Sequence, residues 1–245
     1  MESEKRTAFI LAAGLGTRLR ELTHDKPKAL VSINNTPLLK VILEGLQKQD
    51  FNHFVINVHH FGEQIIDFVK GNFQDVDIEI SDERPLLMDT GGAILQALPL
   101  LRDSTAVLIH NVDIISDINL KDIYDDFRKN DDAVWLLTQE RDNKRKIVFD
   151  ENDNFVGRIN IGTGEYNGIK PLKDSYNKLS FSGLHLIKPY FFTDLDVKPC
   201  YVFDIYGEIA KKNPVRSHLV KTQYWFDLGN EQQLKRVSEW FSSKN

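Results

Sequence analysis

One cysteine in 245 residues leaves no partner for an intramolecular disulfide, and no Cys/His spacing in the chain matches a zinc site. Cys200 therefore reads as a small apolar filler, and the chain fits a reducing cytoplasm. Long apolar runs are scarce too. None approaches the ~20 residues that span a bilayer, and the short run "AFILAAG" flows directly into glycines, so neither a membrane span nor a signal peptide is expected. There is no block of Lys or Arg, and the formal net charge is -5, which removes the electrostatic reason to expect a nucleic acid or an anionic membrane as partner. Any basic group that binds a ligand must act locally. No Pro/Ser linker, internal repeat or low-complexity segment divides the chain, so a single domain over residues 1–245 is expected.

The first half alternates short β-branched runs with amphipathic stretches, the pattern of βαβ units on a mostly parallel sheet. "TAFILAAG" reads as a buried first strand. "TPLLKVILEGLQKQD" reads as a helix with Thr36 as N-cap and Pro37 at its first position. "HFVINVHH", "VDIEIS", "TAVLIHNVD" and "DAVWLLTQ" read as strands, separated by "GEQIIDFVKGNF", "TGGAILQALPLL" and "NLKDIYDDFRKN" as helices. In the second half "RKIVFDENDNFVGRIN" reads as a hairpin, "GTGEYNGIKPLKDSY" as a loop, and "VRSHLVKTQYWFDLG" as one strand between two closing helices. The fold class implied is α/β, Rossmann-like and doubly wound, with a core at about 7–140 and 200–245 and an inserted β-rich substrate lobe at about 141–199.

The stretch "ILAAGLGTRLRELTHDKPKAL", residues 10–30, runs an apolar strand into glycines and then two kinds of cation. A Walker A loop needs Gly-Lys-Ser/Thr, but Thr17 and Arg18 follow Gly16. A dinucleotide fingerprint needs a third small residue where Leu19 stands. The remaining pattern is a loop whose backbone N–H groups hold a triphosphate while cations neutralise charge that grows at phosphorus. Arg18 supplies a planar fork for phosphate oxygens and Lys28 a compact charge for the reacting α-phosphate. Either glycine alone reads equally well as part of a plain strand-to-helix turn.

The whole block resembles the signature Gly-x-Gly-Thr-Arg-(Leu/Met)…Pro-Lys-(Ala/Pro/Ser)-Leu of the sugar-1-phosphate nucleotidyltransferases. That resemblance implies an NTP and a sugar 1-phosphate as substrates and an NDP-sugar and pyrophosphate as products. It gives Arg18 and Lys28 the catalytic cation roles and extends the nucleotide contacts to Ala12, Ala13, Gly14, Gly16 and Thr17.

Nucleotidyl transfer calls for a divalent cation, and Mg²⁺ prefers carboxylate oxygens plus waters. Asp113 ends the buried run "AVLIHNVD", at the strand edge where open α/β sheets put ligands, and Asp227 sits in "YWFDLGN". They match the family's (Asn/Gly)-x-Asp and Trp-x-Asp-(Ile/Leu)-Gly motifs, which implies that both hold Mg²⁺ and sets Asn111 beside the sugar. Taken alone, Asp227 reads as an N-cap of the last helix. Val112 stands where the family commonly has glycine, and its branched side chain bears on the sugar assignment more than on the metal.

Other resembling segments add Gly91 and Gly92 of "LMDTGGAI" and Asn57 of "INVHH" on the nucleotide, and Ser182 and Gly183 of "FSGLHLI" on the sugar. The similarity points to the branch of N-acetylmuramate α-1-phosphate uridylyltransferases and mannose-1-phosphate guanylyltransferases. UTP with an N-acetylmuramate-type amino-sugar 1-phosphate is the first expectation. GTP with mannose or heptose 1-phosphate, CTP with phosphocholine, and a nucleotide-binding regulatory module without catalysis are the alternatives.

Overall fold

The structure is a computed structural model that describes residues 5–242. The first four residues, and Ser243 with which the last helix was expected to close, lie outside the described residues.

In chain order the chain forms β1 (Thr7–Leu11), the hairpin β2 (Ser32–Ile33) and β3 (Thr36–Pro37), α1 (Leu38–Gln47), β4 (His53–Val58), α2 (Gly62–Asn72), β5 (Asp77–Asp82), α3 (Asp89–Leu101), β6 (Val107–Asn111), β7 (Ile114–Ser116) and α4 (Leu120–Lys129). The second half continues with β8 (Val134–Gln139), β9 (Arg145–Phe149), β10 (Phe155–Asn160), β11 (Tyr166–Gly168), β12 (Asn177–Ile187), α5 (Val202–Ala210), β13 (Val215–Leu219), β14 (Trp225–Asp227) and α6 (Glu231–Ser242). No helix among the described residues is long and apolar enough to cross a membrane.

Two compact units emerge among the described residues, one made of residues 5–87, 110–121 and 222–242, the other of 88–109 and 122–221. In the first, β1, β4 and β5 pair in parallel, with Thr7 opposite His53 and His53 opposite Asp77. Ala8, Phe9 and Ile10 are fully buried, as a continuous apolar strand covered on both faces requires. The apolar face of α1, Leu38, Leu39, Ile42, Leu43 and Leu46, is buried at helical spacing. Leu19, Leu38, Ile115, Leu228 and Val237 share one core cluster, tying the loop after β1 to the C-terminal segment.

In the second unit β8 joins β13 in parallel and β12 antiparallel, while β9, β10 and β11 form an antiparallel run beside β12. The strands of the expected lobe, β9 to β12, all fall in this unit. The "DENDN" hairpin turn is built on Asp150, whose Oδ1 accepts the N–H groups of Asn152 and Asn154 at 3.1 and 3.0 Å, a short-range side-chain turn that aspartate favours.

Three local expectations change. Thr36 and Pro37 do not open α1. They form β3, because Asn34 and Asn35, at φ 47 and 65, make the two-residue hairpin turn that needs positive φ at both positions. The loop at 162–176 contains β11, which Tyr166 anchors by donating its hydroxyl to the Val156 carbonyl at 3.1 Å. "VRSHLVKTQYWFDLG" is two strands rather than one. Asp117 interrupts it by accepting the Gln223 N–H and the Thr222 hydroxyl, so that β14 pairs with β7.

Candidate active site

β1 ends at Leu11, and the chain turns at once. The N–H groups of Ala12 and Ala13 both donate to Asn57 Oδ1, at 2.6 and 3.1 Å. Asn57, at the far end of β4, thus holds the root of the loop. Gly14 is exposed, with no heavy atom within 4 Å of the place a Cβ would occupy. Gly16 takes φ 65, and a Cβ there would meet Thr23 Cγ2 at 2.9 Å and Lys28 Cβ at 3.2 Å. Glycine is required at this position for both reasons, its left-handed backbone and the close pass of Lys28. Thr17 then begins a short 3-10 helix to Thr23, whose hydroxyl donates to the Gly16 carbonyl at 3.1 Å.

Lys28 follows Pro27, which is extended at φ -69 and ψ 151. That geometry sends the Lys28 side chain inward, where it is buried and its ammonium donates to Asp113 Oδ2. Asp113 is placed by its own neighbours. The Val112 N–H donates to the Leu11 carbonyl at the end of β1 (3.3 Å), and the Asp113 carbonyl accepts the Leu228 N–H at 2.8 Å. Val112 itself is buried. Beside it, burial pushes His110 down to about 4, against the pull of its bond to the Asn111 carbonyl and of the Asp113 charge. The imidazole is therefore neutral at neutral pH. Asn111 ends β6, half-buried.

Asp227 is brought in from the other end of the chain. β14 runs antiparallel to β7 with Asp227 opposite Ile114, the residue after Asp113. Asp227 Oδ1 accepts the Gly229 N–H at 2.9 Å. A Cβ on Gly229 would lie 2.8 Å from Arg18 Nη2 and 2.9 Å from Asp227 Oδ1. Arg18 and Asp227 thus flank the same glycine. The first unit gathers Arg18, Lys28, Asp113, Asp227, Asn57, Asn111 and the glycine loop at the ends of β1, β4 and β6 and at the β7–β14 ladder. Each cation lies near an acid, so the cluster holds balanced charge and two hard carboxylates.

The donor set suits Mg²⁺. Mg²⁺ takes one or two carboxylates and fills its shell with waters and phosphate oxygens. Asp113 and Asp227 are oxygen donors from adjoining backbone, which is that kind of partial site.

The remaining expected residues lie in the second unit. Gly91 and Gly92 are buried at the start of α3, and both N–H groups donate to the Cys200 carbonyl, at 2.8 and 3.2 Å. A Cβ on Gly92 would come within 2.5 Å of the Lys198 carbonyl. The backbone that passes close to both glycines is the chain's own 198–201 segment. Ser182 and Gly183 sit where the β12 register shifts, with Gly183 at φ 83 and the Leu184 N–H donating to the Ser182 hydroxyl at 3.2 Å. They shape a bulge in the strand. Sequence reasoning missed Glu83, which accepts from the Asn57 amide at 2.7 Å, and left Gly229 as a motif letter. The "DLG" spacing after an aromatic strand was the available signal for Gly229; a lone Glu after β5 carries none.

Known proteins are similar to this chain in sequence and in fold. Residues 7–154 match the Nucleotidyl transferase family. The chain is 30% identical over 240 residues to N-acetylmuramate alpha-1-phosphate uridylyltransferase of Neisseria meningitidis serogroup B, covering 94% of this chain and 96% of that one. It is 28% identical over 228 residues to D-glycero-alpha-D-manno-heptose 1-phosphate guanylyltransferase of Campylobacter jejuni, covering 91% and 94%. Among solved structures, HddC from Yersinia pseudotuberculosis complexed with GMP-PN superposes with a TM-score of 0.75 at 20% identity, covering 96% and 99%. That likeness establishes a shared α/β fold.

Proposed function

The chain belongs to the Nucleotidyl transferase family, and from that premise we propose that it transfers a uridylyl group from UTP to an N-acetylmuramate-type amino-sugar 1-phosphate in a Mg²⁺-dependent reaction that releases pyrophosphate. The observation that carries this reading is the pairing of Lys28 with Asp113 beside the glycine loop. It sets a cation and a hard carboxylate at one point, as an NTP undergoing attack at its α-phosphorus requires. The relative of Neisseria meningitidis favours the uridylyl choice, being 30% identical over nearly the full length of both chains.

The sugar phosphate oxygen attacks the α-phosphorus in line, and no covalent enzyme intermediate is needed. Lys28 gives its charge to the α-phosphate oxygens as negative charge develops, moving from Asp113 to the substrate. Arg18 offers its fork to the departing β- and γ-phosphates. Asp113 and Asp227 would hold Mg²⁺, which when bound neutralises phosphate charge and orients the triphosphate. Gly14 and Gly16 keep the loop low enough for phosphates to approach its backbone, while Asn57 holds its root. We further propose a cytoplasmic setting, where NTPs are supplied.

A second reading, guanylyl transfer to mannose or heptose 1-phosphate, is favoured by the 28% identity to the Campylobacter jejuni relative. Pyrophosphate release with Mg²⁺, crossing UTP, GTP, CTP and dTTP against N-acetylmuramate, mannose and heptose 1-phosphates and phosphocholine, decides between them. Release from UTP with the amino sugar alone supports the proposal, and release from GTP with mannose or heptose 1-phosphate replaces it with the second reading. Nucleotide binding without release from any pair points to an acceptor outside this panel or to a regulatory module.

A further inference from the structure

We infer that Glu83 is a positioning residue for the phosphate loop, acting through Asn57; the inference rests on the nucleotidyl-transfer reading above. Backbone N–H groups only donate, so Asn57 must turn its carbonyl oxygen toward Ala12 and Ala13. Its NH₂ then faces the opposite way, and Glu83 Oε1 receives it at 2.7 Å. Asn57 and Glu83 are 3% and 1% exposed, so water cannot substitute for either partner, and a misturned amide would strand several buried groups at once. Glu83 thereby fixes which way the Asn57 amide faces.

Glu83 is itself pinned at both ends of its backbone. The β4–β5 register closes with Val58 opposite Asp82, and one residue on, the Glu83 N–H donates to the Val58 carbonyl at 2.8 Å. His59 Nδ1 then donates to the Glu83 carbonyl at 2.7 Å. A chain of contacts therefore runs from the edge of β5 through β4 to the end of β1, where the loop leading to Gly14, Gly16 and Arg18 begins. Small displacements of groups that align a reacting phosphate cost far more in rate than in stability.

The test inverts the hydrogen bond. Asn57→Asp keeps an acceptor for Ala12 and Ala13 but sets a second carboxylate against Glu83. Adding Glu83→Gln gives that carboxylate an amide donor, restoring the same contacts with their polarity reversed. Wild type, both single variants and the double variant are compared in kcat/KM for the NTP and in Tm. Asn57→Asp is expected to lose roughly tenfold or more in kcat/KM, and the double variant to regain most of the loss, as directly coupled residues do. If Asn57→Asp fails to fold, an active double variant gives the same support. A double variant no better than Asn57→Asp in kcat/KM overturns the inference, as does recovery of Tm alone, which would mark the pair as merely structural. A wild type that turns over no NTP removes the functional reading and this inference with it, whereas an active wild type without rescue removes the inference alone.

Discussion

Lys28 and Asp113, 85 residues apart in sequence, meet as an ion pair with side chains only 10% and 16% exposed. Such a sheltered pair is a poor source of net stability, since removing two charges from water offsets most of their attraction. In the nucleotidyl transfer proposed above, its value lies in what it holds ready: a cation to pass to a phosphate, and a carboxylate to pass to a metal.

Asp113→Asn keeps the size and one acceptor oxygen but removes the charge. The Mg²⁺ concentration for half-maximal pyrophosphate release is expected to rise by about tenfold or more, with Asp227→Asn moving in the same direction. A metal titration of each variant checks this, and an unchanged midpoint for Asp113→Asn would require a different ligand.

Gly92 tests the packing at the start of α3. A Cβ there meets the Lys198 backbone carbonyl at 2.5 Å, and backbone cannot move aside as a side-chain tip can. Gly92→Ala should destabilise the protein by about 1–3 kcal/mol, read from urea unfolding midpoints. A neutral substitution would show that the 198–201 segment yields freely.

Asp150 gives a pH dependence with a definite sign. Burial alone would raise its pKa, but the Lys170 ammonium at 2.9 Å and the amides of Asn154 and Asn152 outweigh it and hold the carboxyl below its ordinary value. A depressed carboxylate contributes stability that is present above the unfolded pKa and lost as pH falls through the folded one. The stability gap between wild type and Asp150→Asn should therefore narrow between about pH 5 and pH 2. A gap that stays constant over that range would contradict the assignment.

Much of this was legible beforehand, for physical reasons that differ by element. β1 and α1 announce themselves because complete burial demands apolar residues in an unbroken run, as around Phe9, or at helical spacing, as at Ile42 and Leu46. The hairpin on Asp150 is local, so its turn residues carry it. The meeting of Lys28 with Asp113, and of Arg18 with Asp227 at Gly229, depends on pairings between distant segments that no local pattern encodes; only the resemblance tied them together. Thr36 and Pro37 misled because a helix-opening pair is also compatible with the hairpin that Asn34 and Asn35 impose. Glu83 stayed hidden because its partner sits on a neighbouring strand, 26 residues away in sequence.

The most direct measurement is the rate of pyrophosphate release by Lys28→Ala, at saturating Mg²⁺ and with the substrate pair on which the wild type is fastest. Loss of a preorganised cation at the reacting phosphate should lower kcat by ~10²–10³ while the thermal unfolding transition remains cooperative. A folded Lys28→Ala protein that turns over at close to the wild-type rate would contradict the account.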